Sequence, residues 1–201
     1  MLEDTYQTIQ ALSEGLYKEK GSKFLAFAHP VESAAEVKIL LDQYRKDYYD
    51  ARHVCFAYRL GPDAAETRSS DDGEPSGTAG RPIQGQIQSF GLTNVLVIVV
   101  RYFGGILLGT GGLVVAYKAA AADALQSAEI LKKTVDVEFS IRFEFPFMND
   151  VMKLVKNLDA HILSQEYDLD CGMKLRIRKR EAERLETALG KIETLRFELA
   201  G

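Results

Sequence analysis

Cysteine is scarce in this chain of 201 residues: Cys55 and Cys171 are the only two, and neither stands in a paired Cys/His spacing. That excludes a zinc site of the usual ligand spacing and a disulfide framework, and it points to a reducing compartment. No apolar run reaches the roughly 18 residues of a membrane span. The first residues, with Glu3 and Asp4, lack the basic region and apolar core of a secretion signal. The expected location is therefore cytoplasmic, with no membrane partner. An excess of positive charge is missing too, since 25 basic residues face 29 acidic ones for a net charge of −4. A protein that coats nucleic acid by charge alone is excluded, and any such contact must be local. What is present, 46% hydrophobic and 27% charged residues, is the composition of a folded protein, long enough for one large or two small domains.

The chain is organised around the stretch from Gly91 to Ala122. Val95 to Val100 is an unbroken apolar run, the pattern of a strand covered on both faces. Arg101, Tyr102 and Phe103 follow, then Gly104, Gly105, Gly109, Gly111 and Gly112, then an alanine-rich helical segment. A glycine loop that opens a helix presents free N–H groups and the positive end of the helix dipole, which suit an anion. Glycines also occur where two backbones merely pass close. A P-loop is excluded because Gly112 is followed by Leu113 and Val114 rather than Lys and Ser or Thr. Val114 likewise stands where a dinucleotide fingerprint needs a small residue. No nucleotide cofactor follows from the spacing.

Before that stretch, Leu12 to Tyr17 and Ser22 to Pro30 read as strands. Ser33 with Glu36 forms a capping box for a helix whose stripe is Val37, Leu40, Leu41 and Tyr44, ending near Lys46. Arg52 to Leu60 reads as a second covered strand. From Gly61-Pro62 to about Gly80 runs a polar segment, read as a long loop, and loops of that length are usually functional or disordered. Pro82 opens a short helix through Ile83 and Ile87, and the central helix runs from about Gly112 to Ala128. Lys132-Lys133 marks the expected boundary between domains 1–133 and 134–201. The second domain reads β-α-β-β-α-β, a ferredoxin-like arrangement. There Lys174, Arg176, Arg178 and Arg180 alternate with apolar residues, so they share the open face of a sheet. Their expected partners are the acidic residues of the neighbouring first strand, Asp136 and Glu138 among them, rather than RNA. The phenylalanines of that strand fall on the buried phase, where they cannot stack bases.

Within the polar segment, Asp71, Asp72 and Glu74 put three carboxylates beside Ser76 and Thr78. Such a set suits a hard cation, or acid and base work on a bound substrate. The plainer reading, turns whose side chains bond their own backbone, is the preferred one. No resident metal or cofactor is expected. A Ser76, His53, Asp71 triad is conceivable but lacks a nucleophile elbow. Arginines that include Arg52 and Arg101 flank the loops, which suits a cleft around a phosphate.

Three blocks resemble the IMPACT/YigZ family. They are Asp50 to His53 with Ala57-Tyr58-Arg59, the twelve residues Ser69 to Gly80, and the signature Arg101-Tyr102-Phe103-Gly104-Gly105-Ile106-Leu107-Leu108-Gly109. The resemblance covers nearly the whole chain and implies an α+β protein of two domains. The first would share the ribosomal-protein-like βαβ fold of the fourth domain of elongation factor G, and the second would be similar to that factor's fifth domain. Eukaryotic members regulate translation in the amino-acid-starvation response. The expectation is thus a non-enzymatic regulator that binds ribosome, RNA or a translation protein. The alternative is an enzyme for a phosphate- or nucleotide-bearing ligand. Its candidate residues are Arg52, His53, Asp71, Asp72, Glu74, Ser76, Thr78, Arg101, Gly104, Gly105, Gly109, Gly111 and Gly112.

Overall fold

The computed structural model describes residues 4–200; residues 1–3 and 201, at the outer ends of the two expected domains, lie outside the described residues. In chain order the elements are β1 (Thr5–Ile9), β2 (Ser13–Glu19), β3 (Ser22–Pro30), α1 (Ala34–Asp47), β4 (His53–Leu60), β5 (Glu66–Ser70), α2 (Gly80–Ser89), β6 (Val95–Tyr102), α3 (Gly109–Gln126) and β7 (Ile130–Thr134). They continue as β8 (Asp136–Phe143), α4 (Met148–Asn157), β9 (His161–Tyr167), β10 (Cys171–Arg178), α5 (Ala182–Leu189) and β11 (Arg196–Ala200). Mutual contacts divide these residues into two units, one of residues 6–133 and one of residue 134 onward together with Asp4 and Thr5.

In the unit of residues 6–133, five strands form a sheet of order β2-β3-β6-β4-β5 with every neighbouring pair antiparallel. The run Val95 to Val100 occupies its centre, each residue 0% exposed, because both sheet faces are covered. Val95, Val97 and Val99 join Ile83 and Ile87 of α2 and Ala116, Tyr117 and Ala120 of α3 in one core. Leu96, Ile98 and Val100 point the other way and meet Val37, Leu41 and Tyr44 of α1. Each of the valine, leucine and isoleucine side chains contributes about 1.5–3 kcal/mol by leaving water. At the start of α1 the Ser33 hydroxyl accepts the Glu36 N–H at 3.3 Å, while the Glu36 carboxylate reaches back to the N–H of Glu32 at 2.9 Å. The capping box therefore closes one residue earlier than its usual form.

Three elements differ from the reading of the sequence. The polar segment from Gly61 is not all loop, since β5 pairs with β4 along the sheet edge. An edge strand gets its support from main-chain pairing, so exposed Glu66, Thr67 and Arg68 show no apolar alternation. The helix α3 begins at Gly109, three residues before Gly112. Last, β1 and β7 form a two-stranded sheet that takes in Lys132 and Lys133, whose mainly polar composition hides a strand.

The other unit follows the order β8-α4-β9-β10-α5-β11, and its sheet has the order β11-β8-β10-β9, again antiparallel throughout. Phe139, Ile141 and Phe143 pack with Val151 and Val155 of α4 and Leu185 and Leu189 of α5. On the opposite face, Arg176 stands across from Glu138 and bonds it at 2.8 Å. Arg178 is in register with Asp136 but turns its guanidinium to Asp4, with contacts of 3.1 and 3.2 Å. The basic stripe is thus partly neutralised, as opposite charges on neighbouring strands favour, though Asp4 takes a place expected of Asp136.

Candidate functional site

The first turn after β5 is built on its own carboxylates. Asp71 accepts the backbone N–H groups of Gly77 (2.8 Å), Ala79 (3.0 Å) and Gly80 (2.8 Å), which ties the loop to the start of α2. Burial alone would raise its pKa, but those three N–H groups and nearby Arg81 hold it below the ordinary value. Asp72 and Gly73 both have positive φ, 43° and 83°, the sign pattern of a type I′ turn. The Asp72 carboxylate accepts the Val54 N–H at 2.7 Å. Its carbonyl oxygen lies 2.7 Å from His53 Nδ1. A carbonyl only accepts, so His53 carries its proton on Nδ1 and, when neutral, presents an unprotonated Nε2.

Only Glu74 turns inward. Its side chain is 3% exposed, and Oε1 accepts both Arg101 Nη1 at 2.6 Å and the Tyr117 hydroxyl at 2.8 Å. His53 Nε2 is 3.9 Å from the same oxygen. Register explains the meeting, because His53 at the start of β4 stands opposite Arg101 near the end of β6. Arg101 is 7% exposed, lies 5.5 Å from the ring centre of Phe24 and 5.7 Å from that of Phe103, and its Nε has no partner. Beneath the pair, Cys55 Sγ is 3.4 Å from the Tyr117 hydroxyl and 3.0 Å from the Asp71 carbonyl. Burial pushes both the Cys55 thiol and the Tyr117 phenol up, and the Glu74 charge adds to each. Both groups stay neutral and serve as packing and hydrogen-bonding groups, not as nucleophiles.

Above this network opens a cavity of ≈ 400 Å³. Arg52, His53, Glu74 and Arg101 form its polar side, Pro75, Phe103, Leu107, Leu108 and Leu113 its apolar side, and Gly109 and Thr110 bring in the start of α3. The helix has no side-chain cap there, so its first N–H groups are free for a ligand. Of the residues singled out in the sequence, the cavity gathers Arg52, His53, Glu74, Arg101 and Gly109. The others lie elsewhere. Asp71 and Asp72 hold backbone, the Thr78 hydroxyl donates to the Pro75 carbonyl at 2.7 Å, and Ser76 is exposed. Gly104 packs directly on the Gly21 backbone, Gly112 lies against Leu108, and Gly105 and Gly111 border open space. A Ser76, His53, Asp71 triad does not form, because Asp71 is bound to amides and His53 Nδ1 to a carbonyl. Among the described residues no group of three or more His, Cys, Asp or Glu side chains can hold a metal ion.

Sequence reasoning missed Tyr117, Cys55, Phe103 and the leucines of the cavity. Tyr117 had a signal: it is the one aromatic residue in the alanine-rich helix α3, and a buried phenol needs a partner.

The profile of the Impact N-terminal domain matches residues 20–125, a span that contains every residue of the cavity. The chain belongs to the IMPACT family. It is 35% identical over 150 residues to the IMPACT family member YigZ of Escherichia coli, covering 74% of each chain. An IMPACT family member from Thermus thermophilus is 41% identical over 157 residues, 78% of this chain and 83% of that one. A crystal structure described as a hypothetical protein is 28% identical with a TM-score of 0.75, covering 100% of this chain and 99% of the other. The IMPACT signature from Arg101 to Gly109 thus runs from the buried ion pair to the first residue of α3, with Phe103, Leu107 and Leu108 on the cavity wall. No described helix is long and apolar enough to cross a membrane.

Proposed function

We propose that the protein is a cytoplasmic, non-enzymatic regulator of translation that binds the ribosome, RNA or a translation protein through the cleft of residues 52–113. Family membership supports this reading, since eukaryotic members act on translation. The same kinship supports the finer fold reading: a first domain, 1–133, like the fourth domain of elongation factor G and a second, 134–201, ferredoxin-like and similar to the fifth. The observation that carries the reading is the cleft itself. Arg52 is exposed, makes no ion pair among the described residues, and borders the uncapped start of α3. In a chain of net charge −4, that is where an anionic partner is locally attracted.

Co-sedimentation with ribosomes and separated subunits, at low and moderate salt, tests it. The wild-type chain is expected to pellet with ribosomes at moderate salt and the Arg52→Ala variant to stay in the supernatant. Failure of the wild type to pellet even at low salt overturns direct ribosome association. Arg52 is the residue to change because removing Arg101 would leave Glu74 buried without its cation, a fault of folding rather than of binding.

A second reading, an enzyme for a phosphate- or nucleotide-bearing ligand, is favoured by the volume and lining of the cavity, which match small-molecule sites. Thermal stabilisation by phosphorylated metabolites, followed by loss of one of them during incubation, would favour it over the first.

A further inference from the structure

We propose that the cavity is a ribonucleotide subsite, taking one nucleoside monophosphate unit either free or as a single unstacked nucleotide of RNA. The inference rests on the reading above that this cleft binds a ligand, and it names the chemistry of that ligand.

The polar end of the cavity asks for hydrogen-bond donors. Glu74 is almost wholly buried, both of its hydrogen bonds fall on Oε1, and Oε2 has no partner. Glu74 lines the cavity, and its free Oε2 is an acceptor for a ligand hydroxyl. His53 Nε2 is the second acceptor, because the Asp72 carbonyl fixes the proton on Nδ1. Two acceptors side by side suit the 2′-hydroxyl of a ribose and, in a free or 3′-terminal nucleotide, its 3′-hydroxyl as well. The opposite demand exists at the mouth. There Arg52 is exposed and unpaired among the described residues, and Gly109 and Thr110 open an uncapped helix of 18 residues. That end suits an anion. A second, independent sign is Arg101, which lines the cavity, is 7% exposed and uses only Nη1 in a hydrogen bond, leaving Nε without a partner.

Between the two polar ends lies apolar surface. Phe103 is 46% exposed and Leu107 82%, so an aromatic ring and a leucine flank the opening instead of closing into a core. A base stacks on such a ring whatever its identity, as single-stranded readers do. Hydroxyl donors, an anion and a planar apolar group in one molecule describe a ribonucleotide. Inorganic phosphate meets only one of the three demands, and a deoxynucleotide lacks the 2′-hydroxyl that Glu74 and His53 would accept from.

The test uses the full chain. Fluorescence anisotropy measures a labelled unstructured eight-nucleotide RNA against the DNA of the same sequence, and calorimetry measures free nucleoside 5′-monophosphates against inorganic phosphate. The expected result is RNA bound at least about tenfold more tightly than DNA. Phe103→Ala and Arg52→Gln each weaken binding on the order of tenfold, and Arg52→Gln, which removes no ion pair among the described residues, does so without moving the urea midpoint. Binding of free monophosphates assigns the site to a free ligand, and binding of the oligonucleotide alone assigns it to RNA; both support the subsite. Equal affinity for RNA and DNA, indifference to Phe103→Ala, binding of phosphate as tight as that of nucleotides, or no binding at all each overturns it. Failure here with ribosome co-sedimentation intact removes the subsite and leaves the translation reading standing. Nucleotide binding without co-sedimentation does the reverse.

Discussion

At the scale of the residue, the site depends on charges placed where water cannot reach them. Glu74 and Arg101 form a pair with both side chains below a tenth exposed, held in addition by Tyr117 and two phenylalanine rings. Glu74→Ala leaves Arg101 buried and alone, and the expected loss is about 3–5 kcal/mol in urea unfolding. Glu74→Gln, which keeps an acceptor for Tyr117, should cost less. Asp71 acts on the loop by another route, through three backbone N–H groups. Its pKa is lowered in the folded chain, so its contribution is fully present above the unfolded value of about 3.9 and is lost as pH falls through the lowered native value. Acid unfolding followed by circular dichroism should therefore show the wild type losing stability across that window, with Asp71→Asn less stable at neutral pH and flatter below it. Cys55 and Cys171 are buried, and burial raises both thiols. Ellman's reagent at pH 8 should find both unreactive in the native protein on a scale of minutes and both reactive in guanidinium.

At the scale of the element, two kinds of glycine sit in one glycine-rich stretch. A Cβ on Gly104 would collide with the backbone of Gly21, so this glycine is there to let β3 and the end of β6 approach. A Cβ on Gly111 meets nothing within 4 Å, and that residue lies in the first turn of α3. Gly104→Ala is expected to destabilise strongly or prevent folding. Gly111→Ala should leave the thermal midpoint unchanged or raise it, with a gain of up to about 1 kcal/mol from helix propensity. A thermal melt of the two variants distinguishes the cases. The spacing of the glycines was plain in the sequence, but which of them met backbone and which met open space was not, because Gly21 comes from a distant turn.

At the scale of the whole molecule, the net charge of −4 limits how a nucleic acid can be held. With the attraction confined to Arg52 and the start of α3, one or two phosphates are neutralised. The logarithm of RNA affinity should then fall with the logarithm of salt at a slope of only about −0.7 to −1.4. A much steeper slope in an anisotropy titration would mean a broad basic surface and would count against a local subsite. The sequence alone determined the central strand, the capping box of α1, the order of elements after Thr134 and the family blocks, because each is written in residues close together in the chain. It also held the ingredients of the cavity, Arg52, His53, Glu74, Arg101 and Gly109, but among eight other candidates of equal standing. Only the tertiary structure separated them. Strand register set His53 opposite Arg101, the loop spent Asp71 on its own backbone and Asp72 on the Val54 N–H of β4, and α3 brought Tyr117 under Glu74 from 43 residues away. Those choices depend on long-range packing and on which polar group finds a partner once water is gone, and neither is visible in local sequence.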